Sequence, residues 1–270
     1  MSRALEPKNL TNGAFLPYSS GVMTRFFLPL ALFGCGTNAG LSEPITADPT
    51  AAIEASAAIQ LDGLIALAEQ PTAVISVDAQ CPRVTKLQEN DNTLHVRLEG
   101  DCTTTTGMQV SGHLEHYEAS DALWLIGSDF QIADGDTLVF GLDGAIEITP
   151  SGSLWLVDVA AAMCGTQSWS CQDGVLALDL SYTIFPSAGF PDDYDTTVSG
   201  TVATARASMT LDGAWSIDRD QCASEPVSGM LSIQRGEHHA ITHDGALTCD
   251  GCVRWQVQGQ ETDGLCGLTD

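Results

Sequence analysis

Two hydrophobic periods divide the chain. Between Asp48 and Pro71 apolar residues recur at helical spacing, with Ile53, Ala57, Leu61, Leu64 and Ala68 on roughly one face. Asp48 ahead of Pro49 is a favoured helix start, an N-cap carboxylate before a proline at the first helical position. Gly63 weakens the helix locally and Pro71 stops it, so the pattern predicts a helix over 49–69. From Ala73 onward the period shortens to two. In Leu94-His95-Val96-Arg97-Leu98-Glu99 apolar and polar side chains alternate, as a half-buried strand requires. Similar runs recur at 83–88, 109–116, 122–126, 137–140, 145–148, 153–159, 176–180, 198–211, 214–217, 228–234, 240–247 and 253–257. Six Asp-Gly pairs, beginning at Asp134, Asp143, Asp173, Asp212, Asp244 and Asp250, punctuate them. Many short strands with recurring Asp-Gly turns predict a mainly β fold: antiparallel hairpins and meanders forming a sandwich or rolled barrel, with the one N-terminal helix packed on it.

In the run 198–211, Ala203, Ala205, Ala207, Met209 and Leu211 alternate on one face. Such a stripe of small side chains lets an Ala-rich helix approach closely; a narrow point between two sheets explains it equally well. Val110-Ser111-Gly112, Val198-Ser199-Gly200 and Val227-Ser228-Gly229 rhyme weakly, which suggests two related β halves, 72–184 and 198–270. Chance recurrence of turn chemistry is the competing account. The stretch 185–197 between them, with Pro186, Gly189, Pro191 and the acidic run Asp192-Asp193-Tyr194-Asp195, reads as a long solvated loop.

Ahead of the helix, Met23 to Cys35 carries one base, Arg25, an apolar run from Phe26 to Phe33, and Gly34 before the cysteine. A basic start, a short apolar stretch and a small residue at the cut site make a secretory signal. The run is far below the roughly 18 apolar residues that span a bilayer. Leu32-Phe33-Gly34-Cys35 resembles the lipobox of bacterial lipoproteins, although Phe33 is bulkier than the residue usual there. The resemblance implies that residues 1–34 are removed and that Cys35 is acylated on sulfur and becomes the new N-terminus. With Gly36 rather than Asp after the cysteine, it also implies an outer-membrane address, facing the periplasm or the cell surface. Because a signal begins near its initiator, Met23 is the expected start, and residues 1–22 read as an extra leader. Residues 35–47 then form a tether and 48–71 the helix. The layout as a whole, helix first and cysteine-bracketed hairpins after, resembles β-rich bacterial lipoproteins, a likeness that implies location and no activity.

Loss of residues 1–34 leaves 10 minus 3, or 7, basic side chains against 35 minus 1, or 34, acidic ones, a net charge of −27. Such a field repels phosphate backbones, which excludes nucleic acid as a partner. It also keeps the domain off an anionic bilayer except through the lipid anchor. Of nine cysteines, eight remain beside Cys35: Cys81, Cys102, Cys164, Cys171, Cys222, Cys249, Cys252 and Cys266. An even set in an exported chain predicts four disulfides. A hairpin of 83–88 with 93–99 brings Cys81 near Cys102, and one of 228–234 with 240–247 brings Cys222 near Cys249. Cys252 then pairs Cys266 across Gly259-Gln260, and Cys164 closes a short loop with Cys171.

The chain lacks a Gly-x-Ser-x-Gly elbow, a phosphate loop, a His-Glu-x-x-His pair and a dinucleotide fingerprint. His95, His113 and Glu115 are the best candidate metal ligands. His113 and Glu115 share a strand face, and a partner strand placing His95 opposite either one would complete a zinc or copper site; three solvated side chains are the plain alternative. His239 and His243, four residues apart on a strand and so roughly 13 Å apart, are too distant to share an ion. Cys249-Asp250-Gly251-Cys252 reads as a turn between strands rather than a redox pair at a helix N-terminus. The acidic run 192–195 lacks the spacing of a calcium loop. Among the five tryptophans, Trp124, Trp155, Trp169, Trp215 and Trp255, an exposed ring could stack on a sugar, and Trp169 in its short loop is the expected one. The sequence thus points to a membrane-anchored, non-enzymatic structural or binding lipoprotein that needs no cofactor, its protein or glycan ligand unspecified. A carbohydrate- or lipid-binding module is the alternative, and a zinc- or copper-dependent hydrolase the third reading.

Overall fold

The structure, a computed structural model, describes residues 48–58, 60–69, 80–90, 92–166, 169–188, 190, 192–223, 225–262 and 264–266. The leader, the tether with Cys35, the stop at Pro71, and Gly189 and Pro191 lie outside them.

The N-terminal helix is present as two nine-residue pieces on either side of Gln60, α1 (Thr50–Ala58) and α2 (Leu61–Glu69). Asp48 opens α1 as expected: its Oδ1 accepts the Thr50 N–H at 3.0 Å and the Thr50 hydroxyl at 2.6 Å, bonds that hold its carboxyl below the usual range. The buried face of α1 differs from the periodic one. Ala51, Ala52 and Ala55 are buried while Ile53 is 46% exposed, because three alanines let the helix backbone approach the sheet and a branched side chain would hold it off. In α2 the buried residues are Leu61, Leu64, Leu67 and Ala68. By length and composition Thr50–Glu69 is apolar enough to cross a bilayer; about half of it is buried within the fold.

Among the described residues fifteen strands form one antiparallel sheet. In chain order they are β1 (Arg83–Asn90), β2 (Thr93–Glu99), β3 (Cys102–Thr103), β4 (Gln109–Ala119), β5 (Leu123–Asp134), β6 (Thr137–Ser151), β7 (Leu154–Cys164), β8 (Leu176–Pro186), β9 (Asp193–Ala203), β10 (Ser208–Asp218), β11 (Ser228–Arg235), β12 (Glu237–His243), β13 (Cys252–Val257), β14 (Gln260–Glu261) and β15 (Leu265–Cys266). The hydrogen-bonded path runs β1, β2, then β4 to β14 in sequence order; β3 adds to β4 and β15 to β13. β1 and β14 end the path, so among the described residues hydrogen bonding does not close the sheet.

Alternation assigns each strand one apolar and one polar face. Leu98, Leu114, Leu125, Ile146, Val157, Leu180, Val198, Leu211, Ile233, Ile241 and Val257 belong to a single buried core cluster. The helices share this core, α1 against β10, β11 and β12, and α2 against β5 and β6. On the opposite face Glu147, Asp158, Asp179, Asp195, Ser199 and Asp212 are exposed, so this face is built for water.

Two carboxylates fasten the helices. Glu54 of α1 is buried and paired with Arg235 at 3.2 Å and Arg206 at 3.8 Å. Asp62 of α2 receives Arg219 at 2.6 Å and the Tyr194 hydroxyl at 2.7 Å. Tyr194 is buried on β9, which begins at Asp193, so the acidic run is the start of an alternating strand and not a solvated loop.

Three local expectations are corrected. The run 198–211 is two strands, β9 and β10, because the Thr204 hydroxyl accepts the Arg206 and Ala207 N–H groups and turns the chain, which breaks the alanine stripe. Asp143-Gly144 and Asp212-Gly213 lie inside β6 and β10 rather than at turns. Gly144, at φ 119°, serves close approach instead: a Cβ there would meet the Ala160 carbonyl oxygen at 2.2 Å. The third concerns 185–197: β8 and β9 pair directly, Pro186 opposite Tyr194, so the two β halves continue as one sheet.

Disulfides join Cys81 to Cys102, Cys164 to Cys171, Cys222 to Cys249 and Cys252 to Cys266. Cys252 and Cys266 are direct cross-strand partners, and the other three bridges close a hairpin or a short loop at its ends. Loops of these lengths are worth about 2 to 4 kcal/mol each in the chain-entropy account.

Candidate functional site

The hairpin of β1 and β2 turns at Asn92, with Asn90 opposite Thr93 and Arg83 opposite Glu99. β2 then pairs β4 so that His95 faces Tyr117 and Arg97 faces Glu115. Since Val96, Leu98, Leu114 and His116 are buried, His95, Arg97, Glu115 and Tyr117 share the water-facing side. On β5, Trp124 lies opposite Tyr117 and on the same side. The row continues through Glu147 of β6 to Asp158 of β7.

The three rings form one cluster. Tyr117 and Trp124 stack with centroids 4.8 Å apart and planes 7° from parallel, while His95 meets them edge-on at 5.8 and 5.3 Å. Beside the rings Glu115 is held by Arg97, whose Nε donates at 2.9 Å and whose Nη2 pairs with the same oxygen. Its second oxygen lies 3.3 Å from His95 Nε2. The Arg97 bonds, helped by His95, hold the Glu115 carboxyl below the usual range.

Of the three candidate metal ligands, the fold brings His95 and Glu115 together. His113 faces Glu99, four positions along β4 from the Tyr117 that faces His95, which separates the two histidines by roughly 13 Å. The carboxylate a metal would need is engaged by a guanidinium. Among the described residues one group of sulfur and carboxylate atoms does converge, Cys222, Glu225 and Cys249, all within 4.8 Å. Both of its sulfurs are spent in a disulfide, and Glu225 Oε1 accepts the Asp250 and Gly251 N–H groups, so it braces a loop. Cys249 and Cys252 belong to different disulfides and form no redox pair.

The other singled-out residues face inward. Trp169, expected to be exposed, is 8% exposed, because it folds back onto the core and donates its Nε1 proton to the Gly174 carbonyl across the 164–171 loop. Trp155 is part-buried, stacked with Phe190 at 6.2 Å. Trp215, Trp255, His239 and His243 lie on the core side of β10, β12 and β13, His239 parallel to Trp255 with centroids 6.0 Å apart. Trp215 reaches His243, 6.5 Å away, over Gly229, where a Cβ would strike the tryptophan. Burial lowers the pKa of His116 and His239, and pushes His243 down to about 4. Ser232 Oγ and His238 Nε2 make a 2.9 Å contact on an exposed surface, and among the described residues no third group orients that imidazole.

The aromatic row escaped the sequence reading because its members sit on three strands. His95 and Trp124 stand out one by one in the sequence, but their meeting depends on the register of β2, β4 and β5 together. Comparison of the chain with protein-family models, curated proteins and solved structures gives no match in any of the three.

Proposed function

We propose that this chain is an exported, lipid-anchored β domain acting as a non-enzymatic binding or structural component in the periplasm or at the cell surface. Its sheet, on this reading, rolls around the N-terminal helical segment, and the outward row from His95 to Asp158 is its contact surface. One observation carries the proposal: all eight cysteines downstream of Cys35 are in disulfides, which is the usage of an oxidising compartment and leaves Cys35 as the ninth. The water-facing side, lined by aspartate and serine, supports a domain that meets the membrane through a lipid rather than through its own surface. Mass spectrometry of the membrane fraction tests the anchor. The expected product is an N-terminal peptide beginning at acylated Cys35, and Cys35→Ser shifts the protein to the soluble fraction. A soluble native product with unmodified Cys35, or one with thiols that titrate free, overturns the reading.

A further inference from the structure

The geometry points to the row His95, Tyr117, Trp124, Glu147 and Asp158 as a binding site for a neutral saccharide chain running across the strands. This deepens the reading of the domain as a binding component by naming its ligand class. Three features select that ligand. The first is the stack of Tyr117 on Trp124, part-exposed on the side of the sheet away from the core. With their planes 7° apart the two rings cover each other's inner faces, which leaves their outer faces to take up the C–H face of a pyranose. The second is what adjoins the rings. In the same cross-strand row, Glu147 and Asp158 follow on the next two strands, and Asp158 accepts a bond from Ser181 Oγ at 2.6 Å. Carboxylates accept hydroxyl protons, while the Arg97 guanidinium, fixed on Glu115 beside the rings, supplies donors. A line of rings continuing into a line of acceptors suits a linear polymer of alternating apolar and hydroxyl-bearing faces. The third is charge: a chain at −25 with exposed aspartates along this face repels uronate, sulfated and phosphorylated glycans, which leaves neutral ones.

The test uses the purified full chain with disulfides intact, run in affinity gels containing β-1,3-glucan, β-1,4-glucan, starch, mannan, xylan or soluble chitin oligomers. Retardation by at least one of these is expected, with a shift of tryptophan fluorescence on titration. Trp124→Ala and Tyr117→Ala should weaken binding roughly tenfold or more. Phe185→Ala, which removes an exposed ring outside the row, should leave it unchanged. Should loss of the ring stack disturb the fold, judged by circular dichroism, Glu147→Ala on the exposed side of β6 serves as the second variant and is expected to weaken binding several-fold. Wild-type protein that ignores all six polymers, or a folded Trp124→Ala that binds as well as wild type, overturns the proposal. Binding of an acidic polymer or of a protein in preference to neutral glycans does so as well. Because Cys35 takes no part in the assay, failure here leaves the anchoring untouched, and failure of acylation leaves this site untouched.

Discussion

At the scale of single residues, burial decides what is chemically available. Tyr182 is fully enclosed, and its hydroxyl finds no partner among the described residues, so its ionisation is pushed far up and its proton is useless to solvent. Removing a buried, unpaired hydroxyl without changing shape relieves a desolvation penalty. Tyr182→Phe is therefore expected to match or exceed wild-type stability by about 1 kcal/mol in urea denaturation, and a loss of similar size would show that the hydroxyl is bonded. His243 gives a pH dependence. Burial lowers its pKa from an ordinary 6.5 to about 4, against a smaller opposing pull from Asp244. Between those values the unfolded chain binds a proton that the folded chain refuses, so stability is complete above pH 6.5 and falls as pH drops toward 4. The loss at this site is about 3 kcal/mol. His243→Leu should flatten the wild-type decline between neutral pH and pH 4, and parallel curves would count against a buried, neutral imidazole. Tyr182 lies just past the predicted strand 176–180, and His243 draws notice in the sequence only as a poor metal ligand beside His239, since burial depends on how the strands pack and no local pattern gives it.

At the scale of elements, helix docking is settled by two ion pairs of unequal depth. Glu54 has a side chain 5% exposed and rests mainly on Arg235, since Arg206 is 72% exposed and farther away. Arg235→Ala leaves a buried carboxylate poorly compensated and should cost about 3 kcal/mol. The Asp62 carboxylate is 56% exposed, so Arg219→Ala should cost less than about 1 kcal/mol despite its shorter contact. Chemical denaturation of the two variants gives the order, and a larger loss for Arg219→Ala would mean that depth is not what matters. Much of this level was legible in advance. Alternation located most strands, and the register of two hairpins brought the right cysteines together, because a period of two fixes which face each residue takes. What failed was the inference from glycine to turn. Asp143-Gly144 sits mid-strand because the glycine admits a neighbouring backbone, a requirement set by β7 that no local pattern announces. The strand 198–211 failed for the opposite reason, as the side chain of Thr204 makes a turn without glycine or proline.

At the scale of the whole molecule, the distribution of charge is the dominant fact. Within residues 48–270 the bases are seven, and Arg206, Arg219, Arg235 and Arg254 are each paired with a carboxylate, as are Arg83, Lys86 and Arg97 on the first hairpin. The outward aspartates from β7 to β10 share one face, and Asp179 has uncharged residues opposite it on both neighbouring strands, so its nearest like charge is diagonal. Asp179 lies opposite Ala160, which puts it diagonal to Asp158 at roughly 7 Å. Water screens such pairs weakly at low ionic strength, where the Debye length is about 30 Å at 0.01 M, and strongly at 1 M, where it is about 3 Å. Folding draws these charges together, so self-repulsion opposes the native state most in dilute buffer. Melting temperature is thus expected to rise with potassium chloride across that range. Asp179→Lys places a cation among the aspartates and should stabilise the fold by up to about 1 kcal/mol in dilute buffer. The same substitution should be neutral at about 1 M salt, because screening removes the attraction together with the repulsion it replaced. A gain that persists at high salt would assign the effect to packing or strand propensity, and a wild-type melting temperature indifferent to salt would mean that the acidic face is already neutralised by bound cations.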